Sequence, residues 1–232
     1  MKHKIIRKII IAIDGYSACG KSTIAQEMAA EFGFIYLDTG AMYRATTLFF
    51  LDHNIDITNG DDIASALDKI HIAFSNTNGK NVTILNGLIV EDDIRSLRVS
   101  QKVSEVSALP EVRKKMVMLQ RLMAEGDQSV VLDGRDIGTV VFPEADLKLF
   151  ITADPVVRAQ RRLLELRNKG LNLHIEDVLS NLSHRDSIDS TREDSPLVKA
   201  DDAIEIDTSD YTPEEQRKII FDLVKSKFNT DV

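Results

Sequence analysis

The chain has 232 residues, 43% of them hydrophobic and 28% charged, and a formal net charge of −8 at pH 7. That length buries a full core; the balance is ordinary for a soluble globular protein and argues against broad nucleic-acid binding, which relies on a basic surface. One cysteine, Cys19, excludes an internal disulfide and suits a reducing compartment. The opening MKHKIIRKIIIAID is basic and then apolar, but the apolar run before Asp14 falls short of the roughly 7–15 residues of a leader. No stretch approaches a membrane span, so the expected location is the cytoplasm.

The first element, KIIIAID (8–14), reads as a doubly buried strand, and an amphipathic pattern near 21–32 as a helix. Between them runs Gly15-x-x-x-x-Gly20-Lys21-Ser22. This spacing fits a loop whose backbone N–H groups wrap a polyphosphate at a helix N-terminus. Glycine lets the backbone approach the oxygens without a Cβ in the way. Gly15, Tyr16, Ser17, Ala18, Cys19, Gly20, Lys21, Ser22 and Thr23 are therefore expected to hold a nucleoside triphosphate. Lys21 would reach the β- and γ-phosphates and Ser22 would hold Mg²⁺. Cys19 is either a small tolerated side chain or a thiol activated by the loop's positive field.

A second strand, FIYL (34–37), leads through YLDTGAMYRATT (36–47) into a helix over 41–53. Thr39 and Gly40 sit at the turn, where a hydroxyl caps the helix and binds an anion, and Arg44 follows on the first turns. The plainer alternative is a helix cap beside a surface arginine. HIAFSNTNGKNVTILNGLIVEDD (71–93) breaks the rhythm with short alternating strands and two pairs, Asn78-Gly79 and Asn86-Gly87, suited to type I′ turns. It reads as a small antiparallel insert. Helical patterns follow near 93–107 and 110–125.

The strand SVVLD (129–133) ends in Asp133, Gly134, Arg135 and Asp136, at the strand end where an α/β site belongs. Asp133 is placed like an acidic residue supporting Mg²⁺ or its water shell. Arg135 suits a bidentate phosphate, unless the segment is only a turn closed by its own ion pair. After the strand LKLFITA (147–153), a helix over 155–168 carries Arg158, Arg161 and Arg162 at spacings that share one face. That stripe is either solvated or a lid closing over a transferring phosphoryl group, a role worth about 10³–10⁵ in rate. A helix over 175–187 ends near SHRDSIDSTRED (183–194), where Arg185, Asp189 and Arg192 form either a site or an intrahelical ion-pair ladder. The strand AIEID (203–207) and a helix over 213–227 complete the chain.

Strands alternating with helices imply one α/β domain over 1–232: a parallel sheet covered on both faces, with ligands at the strands' carboxyl ends. The only Asn-Lys, in NKGL (168–171), lacks the aspartate of a guanine-reading motif. Two anion sites plus an arginine-rich segment point to a small-molecule kinase. A nucleotide-dependent switch, or a kinase for UMP, AMP or shikimate, is the rival. The five histidines show no ligand spacing, so no protein-held zinc is expected.

IAIDGYSACGKST, LDTGAMYR, LDGRDIGTVVFP and RDSIDSTRE together resemble the bacterial cytidylate kinases, in order and over nearly the whole chain. The resemblance implies a three-layer P-loop kinase core with a parallel sheet, an antiparallel β-containing insert at 61–103 binding the nucleoside monophosphate, and a helical lid at 154–171. It implies ATP in the phosphate loop with Mg²⁺, and CMP or dCMP as acceptor. Residues matching the family's acceptor-phosphate contacts are Thr39, Arg44 and Arg135; its cytosine contacts match Ser104, Arg113, Asp136 and Arg192, and its ribose contacts Arg185 and Asp189. Lys21, Asp133, Arg135, Arg158 and Arg162 would carry the chemistry. A monomer acting on small molecules, with no nucleic-acid or membrane partner, is expected. Tyr16 stands where the family often has proline, and Cys19 where Gly, Ala or Ser is usual; both fall at unspecified positions of the loop.

Overall fold

The computed structural model describes residues 7–77, 80–168 and 170–228. In chain order the first half comprises β1 (Ile10–Gly15), α1 (Lys21–Phe32), β2 (Ile35–Asp38), α2 (Thr39–Asp52), α3 (Gly60–Leu67), β3 (Ile72–Thr77), β4 (Lys80–Leu85) and β5 (Leu88–Ile89). The second comprises α4 (Leu97–Ser107), α5 (Pro110–Met123), β6 (Val130–Gly134), β7 (Leu147–Thr152), α6 (Pro155–Asn168), α7 (Ile175–Thr191), β8 (Ile204–Asp207) and α8 (Pro213–Phe228).

Five strands form an all-parallel sheet in the order β2-β6-β1-β7-β8. The central strand β1 is apolar at consecutive positions, not alternating ones, because both its faces are covered. On one face Ile11, Ile13 and Leu149 pack with Met28 of α1 and Ile220 of α8. On the other, Ala12, Leu37 and Leu132 meet Ile137, Val141 and Ala124 just past α5. The result is a three-layer α/β fold with the strands' carboxyl ends aimed at one edge.

The antiparallel insert forms as the pattern of 71–93 predicts: β3-β4-β5 make a separate three-stranded sheet. Asn86 and Gly87 have φ of 50° and 83°, as the Asn-Gly turn joining β4 to β5 requires. The Asn78-Gly79 pair lies outside the described residues. The insert shares an apolar cluster with α2, α4 and α5, centred on Met42, Ile94, Val99, Val112 and Met116.

Several boundaries differ from expectation. α3 has no counterpart among the expected helices. The helix over 93–107 is interrupted: a single 3₁₀ turn at Asp93–Arg95 gives way to an extended Ser96 before α4 starts. α7 runs four residues beyond 187. α6 and α7 pack together through Ala159, Leu163, Leu166, Val178 and Leu182, so the arginine-bearing segment is a helical hairpin reaching well past 171. Among the described residues no helix is long and apolar enough to cross a membrane.

Candidate active site

The loop between β1 and α1 is built on two glycines with different tasks. Gly15 has φ 142°, and a Cβ there would lie 1.9 Å from the Ile151 carbonyl oxygen of β7. It is fixed by the approach of the neighbouring strand, a packing reason for the glycine besides the expected one of making room for a phosphate. Gly20, with φ 85°, caps α1 in the left-handed conformation without a side-chain cap, leaving the first N–H groups of the helix for an anion. Lys21 is buried, and its ammonium donates to the Tyr16 carbonyl oxygen. Burial, then the Arg135 charge, lowers its pKa to about 8.

Tyr16 and Cys19 turn their side chains away from this cradle. Tyr16 meets Phe150 edge-on at 6.0 Å, and the Arg158 guanidinium lies 5.1 Å from its ring centre. Cys19 joins the apolar cluster beneath the sheet, where burial raises its thiol pKa. Burial disfavours the thiolate there, which favours the small tolerated side chain over the activated thiol. Thr23 is exposed on α1.

Asp133, at the end of β6, is the hub beside the loop. Ser22 Oγ donates to its Oδ2 at 2.7 Å and the Tyr36 hydroxyl to its Oδ1 at 2.8 Å. Burial first, then the charge of Asp38, raises its pKa to about 6. Thr39 Oγ1 donates to the Asp133 carbonyl oxygen at 2.6 Å. The N-cap of α2 is Asp38, whose Oδ1 accepts from the Ala41 N–H at 2.8 Å, so the expectation that the Thr39 hydroxyl caps the helix is corrected. Residue 38 precedes the helix and carries the stronger acceptor.

Together with the loop, Arg44, Arg135, Arg162 and Arg185 line one cavity of about 1040 Å³ that extends to Ser104, Asp136 and Arg192. Arg135 Nε donates to Asp189 Oδ2 at 2.8 Å and its Nη2 to Ser17 Oγ at 2.7 Å. The alternative of a turn closed by its own ion pair is thereby excluded, because Arg135 reaches α7 and the phosphate loop instead of Asp133 or Asp136. Arg44 contacts Ser100 Oγ at 3.0 Å. Burial, followed by the charges of Arg185, Arg162 and Arg95, pushes its pKa to about 9. Arg185 is lowered to about 10, by burial and then by Arg135. Its Nε is buried with no partner among the described residues. This crowd of cations is satisfied by a multiply charged anion.

At the far end Asp136 is buried against Arg113, and Arg192 Nη2 stands 3.9 Å from it. Arg192 also pairs with Asp189 at 3.5 Å, so the ion-pair ladder exists, but as one edge of the cavity. Sequence reasoning missed Tyr43, whose buried hydroxyl has no partner among the described residues and whose ring lies 5.5 Å from the Arg113 guanidinium. Its adjacency to Arg44 in GAMYR was the available signal. Asp38 and Arg95, 3.2 Å apart and both lining the cavity, were missed as well.

The three arginines of α6 part company. Arg158 is buried against Asp186 at 2.6 Å and reaches the Ser17 carbonyl oxygen at 3.4 Å. Arg162 faces the cavity and pairs with Glu165 at 2.7 Å. Arg161 turns toward β8, donating to the Thr208 carbonyl oxygen at 2.6 Å. The expectation of a single shared face is corrected: i and i+4 point inward, while i+3 lies far enough round the helix to meet the neighbouring strand's exit.

The chain matches the family model described as "Cytidylate kinase" over residues 11–226. It is 54% identical to a cytidylate kinase of Cytophaga hutchinsonii, covering 96% of this chain and 95% of that protein. It is 49% identical to one from Bacteroides fragilis, covering 92% and 95%. An uncharacterized protein from Eubacterium ventriosum shares the fold at TM-score 0.50 and 14% identity, covering 95% of this chain and 99% of that one.

Proposed function

The chain belongs to the cytidylate kinase family, and on that premise we propose that it transfers the γ-phosphoryl group of ATP to CMP or dCMP, giving ADP and CDP or dCDP, in the pyrimidine nucleotide metabolism of the cytoplasm. The observation that carries this reading is one cavity lined by the phosphate loop, by Arg44, Arg135 and Arg185, and by the Asp136–Arg192 edge. ATP would lie along the loop, its tail held by the α1 N-terminus and Lys21. The acceptor phosphate would sit among the arginines, with the ribose near Arg185 and Asp189.

Cytosine offers an exocyclic amine as donor, and N3 and O2 as acceptors. A carboxylate such as Asp136 accepts from the amine, while Arg192 donates to the ring. Uracil reverses the features facing this pair. One buried mismatch costs about 1–3 kcal/mol, so C is preferred over U by about ten- to hundredfold. Ser104 and Arg113 complete this end.

An acceptor monophosphate is largely dianionic near pH 7, its second pKa being about 6, so no strong general base is required. Lys21 and Arg135 hold donor and acceptor in line and neutralise the charge that develops between them. Arg162 adds positive charge from the lid, and Arg158 fixes the loop through Ser17. Ser22 and Asp133, an oxygen-only pair 2.7 Å apart, suit Mg²⁺, which takes one or two protein oxygens and keeps water and phosphate for the rest. When bound, that ion would supply charge neutralisation to the transferring phosphates. The insert at 61–103 and the α6–α7 hairpin would close on the two nucleotides and exclude water as a competing acceptor. The protein would act as a monomer on small molecules alone.

The test is ADP formation with CMP, dCMP, UMP, AMP, shikimate or no acceptor. CMP and dCMP should support it best and UMP more weakly, with the remainder at background. A rate with CMP equal to that without acceptor would mark a switch or hydrolase instead.

A further inference from the structure

We propose that Asp14 is a positioning residue for the acceptor nucleotide, holding the loop that carries Arg135 and Asp136 in register with the phosphate loop. The inference rests on the kinase reading above. Asp14 is the last residue but one of β1, immediately before Gly15, and among the described residues its side chain hydrogen-bonds to the backbone of Ile137 and Gly138, neither of which lines the cavity. Its carboxylate is buried, 5% exposed, and both oxygens are used. Oδ1 accepts from the Ile137 N–H at 2.8 Å and Oδ2 from the Gly138 N–H at 2.7 Å.

These two donors open the wide π-helical turn Ile137–Val141, directly after Arg135 and Asp136. That turn has no side-chain cap of its own, its preceding residue Asp136 being committed to Arg113. The N–H groups at the start of a helical turn need an acceptor from elsewhere, and here the Asp14 carboxylate of a distant strand supplies it. At Gly138 a Cβ would crowd the flexible Lys148 side chain at 3.1 Å and meet Asp14 Oδ2 in ordinary contact at 3.4 Å, so the carboxylate lies close against this backbone. A single carboxylate thus ties the exit of β6 to the last residue before the phosphate loop, and the spacing between the donor and acceptor sites depends on it.

Buried carboxylates are costly to ionise, and this one is held by two backbone donors, with no arginine partner among the described residues. Paired backbone N–H donors fix direction as well as distance. An amide in place of the carboxylate keeps one acceptor and turns an NH₂ toward the other N–H, so the turn must tilt.

The experiment compares the wild-type enzyme with Asp14→Asn, measuring kcat and KM for CMP and for ATP together with the CMP-to-UMP ratio of kcat/KM. KM for CMP should rise about tenfold or more and the CMP-to-UMP ratio should fall, while KM for ATP stays within about threefold. A folded variant with unchanged CMP constants overturns the proposal. So does a proportional loss for CMP and ATP, which would mark general structural damage. Should the variant fail to fold, hydrogen exchange in the wild-type protein decides: Ile137 and Gly138 amides should exchange about a hundredfold slower than those of an exposed turn, and exchange at the exposed rate overturns the assignment. Wild type that ignores CMP would refute the kinase reading itself, a result distinct from either.

Discussion

Arg135 and Asp189, 54 positions apart in the chain, meet at 2.8 Å between Nε and Oδ2, while the other end of the same guanidinium rests on Ser17 Oγ at 2.7 Å. One side chain therefore spans the phosphate loop, the end of β6 and helix α7. A lysine has neither the fork nor the planar geometry to do this. Arg135→Lys should lower kcat/KM for CMP by about 10²–10³-fold, while the melting temperature shifts by only a few degrees; steady-state kinetics and thermal melting on the same preparation check it.

Arg113 and Asp136 form an ion pair almost closed to water, their side chains 1% and 4% exposed. Removing the carboxylate strands a buried guanidinium, which costs about 3–5 kcal/mol. Asp136→Ala should therefore show lower stability in chemical denaturation and a larger loss of cytosine preference than of ATP affinity. Equal losses across all acceptors would contradict the base-reading role.

Burial first, and then the neighbouring charges of Arg185, Arg162 and Arg95, disfavour the charged form of Arg44. Arg185→Met should stabilise the free enzyme by about 1 kcal/mol and sharply reduce the rise in melting temperature that CMP produces. For the wild type, CMP at about 100 times its Kd should add about 2.7 kcal/mol, less at high salt. Thermal melts with and without CMP measure both effects.

Lys21 titrates at about 8 in the fold against 10.5 ordinarily, because burial disfavours its charge. Between those two values the unfolded chain binds the proton that the folded one has released. Lys21's contribution therefore makes stability rise with pH across that window. Lys21→Met should abolish this part of the slope, and denaturant midpoints at pH 7.5, 9 and 10.5 would show it.

Gly15→Ala should prevent folding or cost several kcal/mol, since its Cβ would sit 1.9 Å from a strand carbonyl. Gly20→Ala meets only the Gln216 side chain at 3.5 Å, and its penalty is the left-handed backbone, about 1–2 kcal/mol. Expression and melting of the two variants separate a packing glycine from a conformational one.

The phosphate loop, the five core strands and the insert were legible because each rests on a local signal: the GxxxxGKS spacing, β-branched runs, the Asn-Gly pair at 86–87. The DGRD segment was legible as a site, though not its partners, since Arg135–Asp189 and Arg113–Asp136 are long-range pairings that no spacing encodes. Helical periodicity put Arg158, Arg161 and Arg162 on one face, yet what surrounds α6 sent Arg161 to Thr208. Thr39 was read as the cap because threonine favours that position, while the adjacent Asp38 is the better acceptor and took it. Tyr43 is hidden in an apolar helix, where an aromatic ordinarily signals core; its place on the cavity wall beside Arg113 marks it as part of the site.

The central claim is that two phosphates are held face to face, a triphosphate tail on the loop and a nucleotide's single phosphate opposite. A crystal structure with CMP tests it most directly. The phosphate should lie within hydrogen-bond distance of Arg44, Arg135 and Arg185, with the cytosine amine on Asp136; CMP bound anywhere else, or with its phosphate on the loop at Lys21, would contradict the account.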